Sequence, residues 1–343
     1  MKMRKIFTYT SLLVAALFLV TATAFATTTC TFTNSGATMR LNGNCTTDAS
    51  VVVPNGKTLD GRGFTITGMD PAGDHFRGAV IVNGGASATV KNLKVTVNAL
   101  MNFCDSGADR LRGIMFVGAS GSISGNTVTG INQGPSGCQE GNAVEIRNFG
   151  TNPDTSRVTV DGNTITGYQK TGVVANGNVD VTVSNNIVDG GGPVGYIARN
   201  GIQFGFGGTG SAKKNTVNGN GYTGSSTVSV GILIFGDTGE FCTNIQIIQN
   251  SLDNNDVGVY LSNDDNGVPP SVATNNKVVN NDISKSSVTN GYIYQAGVAD
   301  EGNNDKIIAN TISGAGYDPG TISGSTFDVD ISLANRVKSH ANK

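Results

Sequence analysis

From residue 113 onward the chain alternates short apolar runs with Gly and Asn. One recurring phrase is a small residue followed by an alternating apolar strand: GIMF at 113–116, AVEI at 143–146, GVVA at 172–175, GIQF at 201–204, GILI at 231–234, GVYL at 258–261 and GVAD at 297–300. Its successive first residues lie 27 to 30 apart, with a last step of 39. A second phrase interleaves with it, as SGNTVTG at 124–130, DGNTITG at 161–167 and KKNTVNG at 213–219. The Asn anchors of this second phrase are Asn126, Asn163, Asn186, Asn215, Asn250, Asn281 and Asn310, each followed two places on by Val, Ile or Leu.

A repeat of roughly 20 to 50 residues predicts a solenoid. Period-2 alternation bounded by Gly or Asn predicts two or more short strands per repeat, and the i, i+3, i+4 spacing of a helix is absent after residue 26. Strands that return to the same place each turn stack in parallel, about 4.8 Å apart. The anchor Asn is expected at a left-handed bend, bonding along a ladder of its copies, with the following Val or Ile in the core. The phrase therefore describes architecture and carries no chemistry.

Together with VVVPNGKTLDGRGFTITG at 51–68, these phrases make the chain resemble the β-helix proteins of the pectate-lyase-like superfamily over residues 45–335. The resemblance implies an all-β, single-stranded right-handed parallel β-helix, a β-solenoid of about nine or ten coils. The family's members are in the majority enzymes that cleave or epimerise acidic polysaccharides, beside others with no known activity, so fold alone does not assign a reaction. Open strand edges at a solenoid's ends need covers. The expected division is an N-terminal cap at 27–50, the β-helix at 51–335, closed by FDVDISLAN at 327–335, and a C-terminal tail at 336–343.

Ahead of the repeats, Lys2, Arg4 and Lys5, an apolar run from Leu12 to Val20 and Ala24-Phe25-Ala26 read as a signal peptide over 1–26. The run is shorter than the ~18 residues of a membrane span. The expected location is outside the cytoplasm: extracellular, cell-surface or periplasmic. Composition agrees with the repeats, since 48 Gly, no Trp and 14% charged residues suit strands and turns more than helices. A net charge of −2 leaves no basic footprint for nucleic acid. Five cysteines in an exported chain suggest disulfides, with one left over. Cys30 lies near Cys45 and Cys104 lies 34 residues from Cys138, while Cys242 has no evident mate; the sequence alone does not fix the connectivity.

The Trp-containing motif of pectate lyases and the Asn-Thr-Asp, Gly-His-Gly and Arg-Ile-Lys landmarks of polygalacturonases are absent, and Asp74-His75-Phe76 lacks the Pro of the epimerases' Asp-Pro-His. Coil alignment is the second route to a site. Alternation sends Glu145 and Arg147, Lys170 and Asn176, and Arg199 and Gln203 outward on three adjacent coils, whereas Ser229, Leu233, Phe235 and Ser262 look bland. The connection at 168–171 is short between long ones at 131–142 and 191–200. A saddle is expected, with Tyr168, Gln169 and Lys170 as floor, Gln139 and Glu140 on one wall and Tyr196 and Arg199 on the other. The loop at 99–112 would extend the first wall, stapled by Cys104–Cys138.

Removing a proton beside a uronate carboxylate requires a cation, a base and a proton donor. Arg147, Lys170 and Arg199 supply the first two roles and Tyr168 the third. Hydrolysis needs two carboxylates ~5 to 9.5 Å apart, and Glu140 with Glu145 is the pair placed near the saddle. Lys170, Arg147, Glu145 and Tyr168 are thus the candidate catalytic residues, and Arg199, Gln203, Asn176 and Glu140 the candidate substrate-binding ones. The expected partner is an acidic polysaccharide, with a uronate lyase or epimerase ahead of a glycoside hydrolase. The rival is a surface module that binds glycan without turnover, its charges forming a solvated ladder. With two histidines, a histidine-based metal cluster has almost no material. Asn263-Asp264-Asp265-Asn266 offers oxygen ligands for calcium but departs from the EF-hand spacing.

Overall fold

The computed structural model describes residues 27–343; the expected signal peptide lies outside them. The described residues form 32 strands and one short 3-10 turn at Gly107–Asp109. The strands make three sheets that run the length of the molecule. A ten-stranded front sheet runs from Val51–Pro54 to Thr326–Asp330, a second ten-stranded sheet from Cys45–Thr47 to Thr311–Ser313, and a twelve-stranded sheet from Phe32–Ser35 to Lys338–His340. Each coil gives one strand to each sheet, as Asn142–Asn148, Ser156–Asp161 and Thr164–Thr166 do before Thr171–Gly177 begins the next. All pairings are parallel except that of Phe32–Ser35 with Thr38–Leu41 at the N-terminal end. The fold is a right-handed parallel β-helix of ten coils.

The core is a set of stacked columns. Ile114, Val144, Val173, Ile202, Ile232, Val259 and Val298 lie in register on the inner side of the front sheet, and all are fully buried. A one-residue slip would turn every such side chain to solvent, so burial fixes the register. The small residue that opens each front strand is needed at the corner. A Cβ on Gly172 would stand 2.5 Å from both Val188 Cγ1 and the carbonyl oxygen of Gly201.

The anchor asparagines form a continuous amide ladder. Asn163 Oδ1 accepts from the backbone N–H and the Nδ2 of Asn126, both at 2.9 Å, and the pattern repeats through Asn186, Asn215, Asn250, Asn281 and Asn310 to Asn342. The left-handed bend, however, falls one residue earlier. Gly125, Gly162, Asn185, Lys214, Gln249, Asn280 and Ala309 take positive φ, and the anchors do not. Asn recurs for its amide, which satisfies buried backbone groups, and the expectation that it recurs for its backbone freedom is corrected.

Disulfides join Cys30 to Cys45 and Cys104 to Cys138, and Cys242 is free and buried. The strand Lys338–His340 extends the twelve-stranded sheet beside Lys306–Ile308.

Candidate functional site

Two outward rows cross the front sheet. One runs Met115, Glu145, Val174, Gln203, Leu233, Tyr260, Ala299, Asp330. The next runs Val117, Arg147, Asn176, Gly205, Phe235, Ser262, and Ser262 Oγ donates to Glu301 Oε2 at 3.0 Å on the following coil. The structure therefore places Glu145, Arg147, Asn176 and Gln203 on one face. Lys170 and Arg199 stand at the opposite edge, just before the strands Thr171–Gly177 and Asn200–Gly205. By register, Arg147 is six positions further along than Lys170, roughly 20 Å at about 3.3 Å per residue.

Several of the sequence-based roles do not survive the packing. Tyr168 is fully buried, its hydroxyl donates to Asn220 Oδ1 at 2.5 Å, and burial holds the phenol well above its ordinary range. It is a core residue and offers no proton to a substrate. Gln169 is also fully buried, donating to Ser136 Oγ at 2.8 Å and to the Cys138 carbonyl at 3.2 Å. The loop at 131–141 thus folds over the floor of the saddle. Glu140 is buried and accepts from the N–H of Asp105 and, at 2.8 Å, from that of Leu111. It latches the loop 99–111 instead of meeting substrate.

Glu145 is buried as well, accepting from Arg112 Nε at 2.6 Å and Asn142 Nδ2 at 2.9 Å. The Arg112 guanidinium donates further to the carbonyls of Gly107, Ala108 and Arg110. This carboxylate is buried and held by Arg112 and Asn142, as Glu140 is held by two backbone N–H groups, so the Glu140–Glu145 pair serves the packing and supplies no hydrolytic apparatus. Arg199 donates to the Gly190 carbonyl and, at 2.9 Å, to Tyr196 Oη, which ties the corner 190–199 together. Gln203 Oε1 accepts from Asn200 Nδ2 at 3.1 Å, while the Asn176 Oδ1 has no donor. Lys170 Nζ donates to the Ala198 carbonyl at 2.8 Å, and burial pushes its pKa down to about 8.

The far end of the same face differs in character. Val230, Val257, Ala296 and Ala299 make an apolar cluster outside the main core, joined by Val228, Leu233, Tyr260, Tyr294 and Phe327. Beside it opens a cleft of about 310 Å³ lined by Tyr260, Tyr292, Tyr294, Asp300, Glu301 and Asp330 among others. Tyr260 Oη donates to Glu301 Oε1 at 2.6 Å, and Tyr294 Oη donates to Asp330 Oδ2 at 2.8 Å. Burial, then the neighbouring carboxylates, hold both phenols above their ordinary range. The tyrosines stay neutral donors, and each holds one oxygen of a carboxylate that lines the cavity.

Buried polar pairs brace the segments around this cleft. Asp300 is pushed up to about 8 by burial and then by Asp305, which burial raises too. Its Oδ1 accepts from the Gly302 N–H at 2.8 Å and its Oδ2 has no donor. On the other side, Lys285 Nζ lies 3.4 Å from Asp256 Oδ1, and burial raises the acid and lowers the base. Asp256 also accepts from the N–H groups of Tyr222 and Ser229 and from Gln295 Nε2, so one carboxylate gathers the segments that carry Val228 and Tyr294.

Among the described residues no group of three or more His, Cys, Asp or Glu is placed to hold a metal ion. In the run at 263–266, Asn263 is buried against the backbone of Cys242 and Asp264 caps the Gly267 N–H at 2.7 Å. The aromatic clue to the cleft was present in the sequence as Tyr292 and Tyr294 beside the outward Tyr260, in a chain of eight tyrosines.

No protein-family model matches the chain, and no curated protein matches it. Among solved structures it is similar to the Dettilon tailspike protein at 18% identity and TM-score 0.48, over 89% of this chain and 63% of that one. It is similar to a mutant of a periplasmic alginate epimerase at 12% identity and TM-score 0.44, over 88% and 78%. A third is the A-module of an Azotobacter vinelandii mannuronan C-5 epimerase, at 14% identity and TM-score 0.35, over 89% and 85%. The chain thus spans 63% of the length of the tailspike it matches. By fold, the chain is a right-handed parallel β-helix.

Proposed function

We propose that the protein binds a polysaccharide along the outer face of the front sheet and hydrolyses a glycosidic bond in the cleft of Glu301 and Asp330. The observation that carries this reading is the pair of carboxylates on one cavity, each bonded by a tyrosine hydroxyl. Hydrolysis of a glycoside takes one carboxyl that protonates the departing oxygen as its bond to the anomeric carbon breaks. The second carboxylate takes a proton from the water whose oxygen bonds to that carbon, or attacks the carbon first and is then displaced by water. Tyr292 and Tyr294 offer ring surface to the apolar side of a sugar. Because the lining holds Asp300, Glu301 and Asp330 and no Lys or Arg, the unit cleaved is a neutral one. The test is release of reducing ends from a panel of neutral and uronate-containing polysaccharides. Wild type releases them, and Glu301→Gln and Asp330→Asn do not; a panel left uncut by wild type overturns the hydrolase.

A second reading, uronate lyase or epimerase, has one observation in its favour: an amine at Lys170 whose pKa of about 8 suits a base near neutrality. It predicts unsaturated, ultraviolet-absorbing uronate products or C-5 inversion with wild type, with or without added calcium, both lost in Lys170→Ala. Binding without any product would make the protein a glycan-binding module.

A further inference from the structure

We infer that Phe235, Phe206 and Phe149 continue the binding face from the cleft to Arg147, as a track for a glycan chain whose far unit carries an anionic group. This rests on the glycan reading of the cleft and adds the register, length and charge of what is bound.

The track begins in the same row as the cleft. Glu301 follows Ser262, Phe235, Gly205, Asn176 and Arg147 one coil at a time, so Arg147 stands five coil spacings away, ~24 Å at about 4.8 Å each. Between them the ring of Phe206 lies 5.3 Å from that of Phe235 and 6.1 Å from that of Phe149, both edge to face. Phe149 bridges a coil to reach it: a Cβ on Gly177 would stand 3.1 Å from Phe149 Cδ1. Phe149 is 57% exposed, so the rings are not a piece of the core.

Phe206 carries the strongest sign of purpose. It sits at φ 52°, in the left-handed region, where a bulky side chain is a genuine outlier. The position is a repeated corner. Gly118, which follows Val117 as Phe206 follows Gly205, sits at φ 58° and makes the equivalent bond, its N–H donating to the Arg147 carbonyl as that of Phe206 donates to the Phe235 carbonyl. Glycine serves at one corner without strain, while at the other the chain keeps a phenylalanine. Strain retained at a half-buried aromatic, whose ring meets that of the exposed Phe149, points to what the ring does outside the fold.

Arg147 supplies the terminus. Its nearest carboxylate oxygen, Glu145 Oε1, is 3.7 Å away, beyond hydrogen-bond reach, and that carboxylate is already held by Arg112 and Asn142. Two guanidinium groups against one carboxylate leave positive charge at this end, opposite the acidic cleft. A planar fork of free N–H donors suits a sugar carboxylate or sulfate. A chain bearing acid on some units and not on others is therefore held in register, with a neutral unit in the cleft and an acidic unit at Arg147.

The test uses the full chain carrying Glu301→Gln, which prevents cutting, and calorimetric titration with graded oligosaccharides of a polymer alternating glucuronate and neutral sugar, intact or carboxyl-reduced. Affinity should rise at least tenfold as chains lengthen to the ~24 Å span, and the intact series should bind better than the reduced one. Arg147→Gln should abolish the preference for intact chains. Phe206→Asn, which tolerates the left-handed corner, should lower the ratio of long-chain to short-chain affinity at least tenfold. Short and long chains bound equally, or both variants behaving as the parent, would overturn the track and leave the cleft reading standing. If no oligosaccharide of either series binds, the cleft reading fails and the track with it.

Discussion

Tyr260 donates to Glu301 at 2.6 Å across 41 residues of chain, and one coil later Tyr294 donates to Asp330 at 2.8 Å across 36. Each pair joins a phenol kept neutral by burial to a carboxylate on the cavity wall. If these carboxylates move protons in hydrolysis, Glu301→Gln should lower the rate ~10² to 10⁴-fold with little effect on binding. Tyr260→Phe removes only a hydrogen bond to a charged group and should cost ~10- to 100-fold. Initial rates and separate binding titrations distinguish the two; a Glu301→Gln protein as fast as wild type would remove this residue from the chemistry.

The Asp300–Asp305 pair makes stability depend on pH against the usual direction. Burial, reinforced by Asp305, lifts Asp300 to about 8, while an unfolded carboxyl loses its proton near pH ~4. Between those values the folded chain holds a proton that the unfolded chain has released. Stability from this pair therefore falls as pH rises through that window, and levels off above it. Replacing Asp305 by Asn removes the repulsion and lowers the Asp300 pKa. The melting temperature should fall more from about pH 5 to about pH 8 in wild type than in Asp305→Asn. Parallel profiles would show that Asp305 does not set the titration of Asp300.

The fold was legible because the solenoid writes its period into the chain. Gly113, Gly172, Gly201, Gly231, Gly258 and Gly297 mark the same corner, and the Asn anchors mark the next, so architecture follows from local phrases. The amide ladder was legible too, though the bend beside it belongs to the residue before. The site was harder to read, since alternation tells in from out only within a strand. Tyr168, Gln169 and Glu140 lie in connections, where the path of the loop decides burial, and those loops fold inward over the expected saddle. The cleft was missed for the converse reason. Glu301 and Tyr294 lie just outside the strand Gln295–Asp300, and Phe235 and Ser262 look bland until neighbouring coils give them partners.

The buried Asp256–Lys285 pair tests how the cleft is held. Removing one partner of a buried ion pair leaves the other charge unpaired and costs ~3 to 5 kcal/mol. Lys285→Met should approach that figure, whereas adding Asp256→Asn should recover part of it, because the acid's N–H donors then face a neutral amide. Both variants should weaken glycan binding, since Asp256 accepts from Ser229 and Gln295, next to Val228 and Tyr294. Denaturant unfolding of the two single variants and the double variant measures the coupling. An additive cycle would mean that the pair is held apart by its surroundings and braces nothing.

Phe204 and Phe206 lie two residues apart and should answer oppositely to substitution. Phe204 is fully buried in the core column of the front sheet, and Phe204→Ala should cost ~3 to 5 kcal/mol. Phe206 forfeits two edge-to-face contacts on replacement, ~0.5 to 1.5 kcal/mol each. Relief of a left-handed non-glycine backbone returns ~1 to 2 kcal/mol. Relief of strain offsets part of that loss, so Phe206→Asn should cost clearly less than Phe204→Ala while losing its preference for long chains. A loss near that of Phe204→Ala would assign the ring to packing, and the strain at this corner would then serve the fold and no ligand.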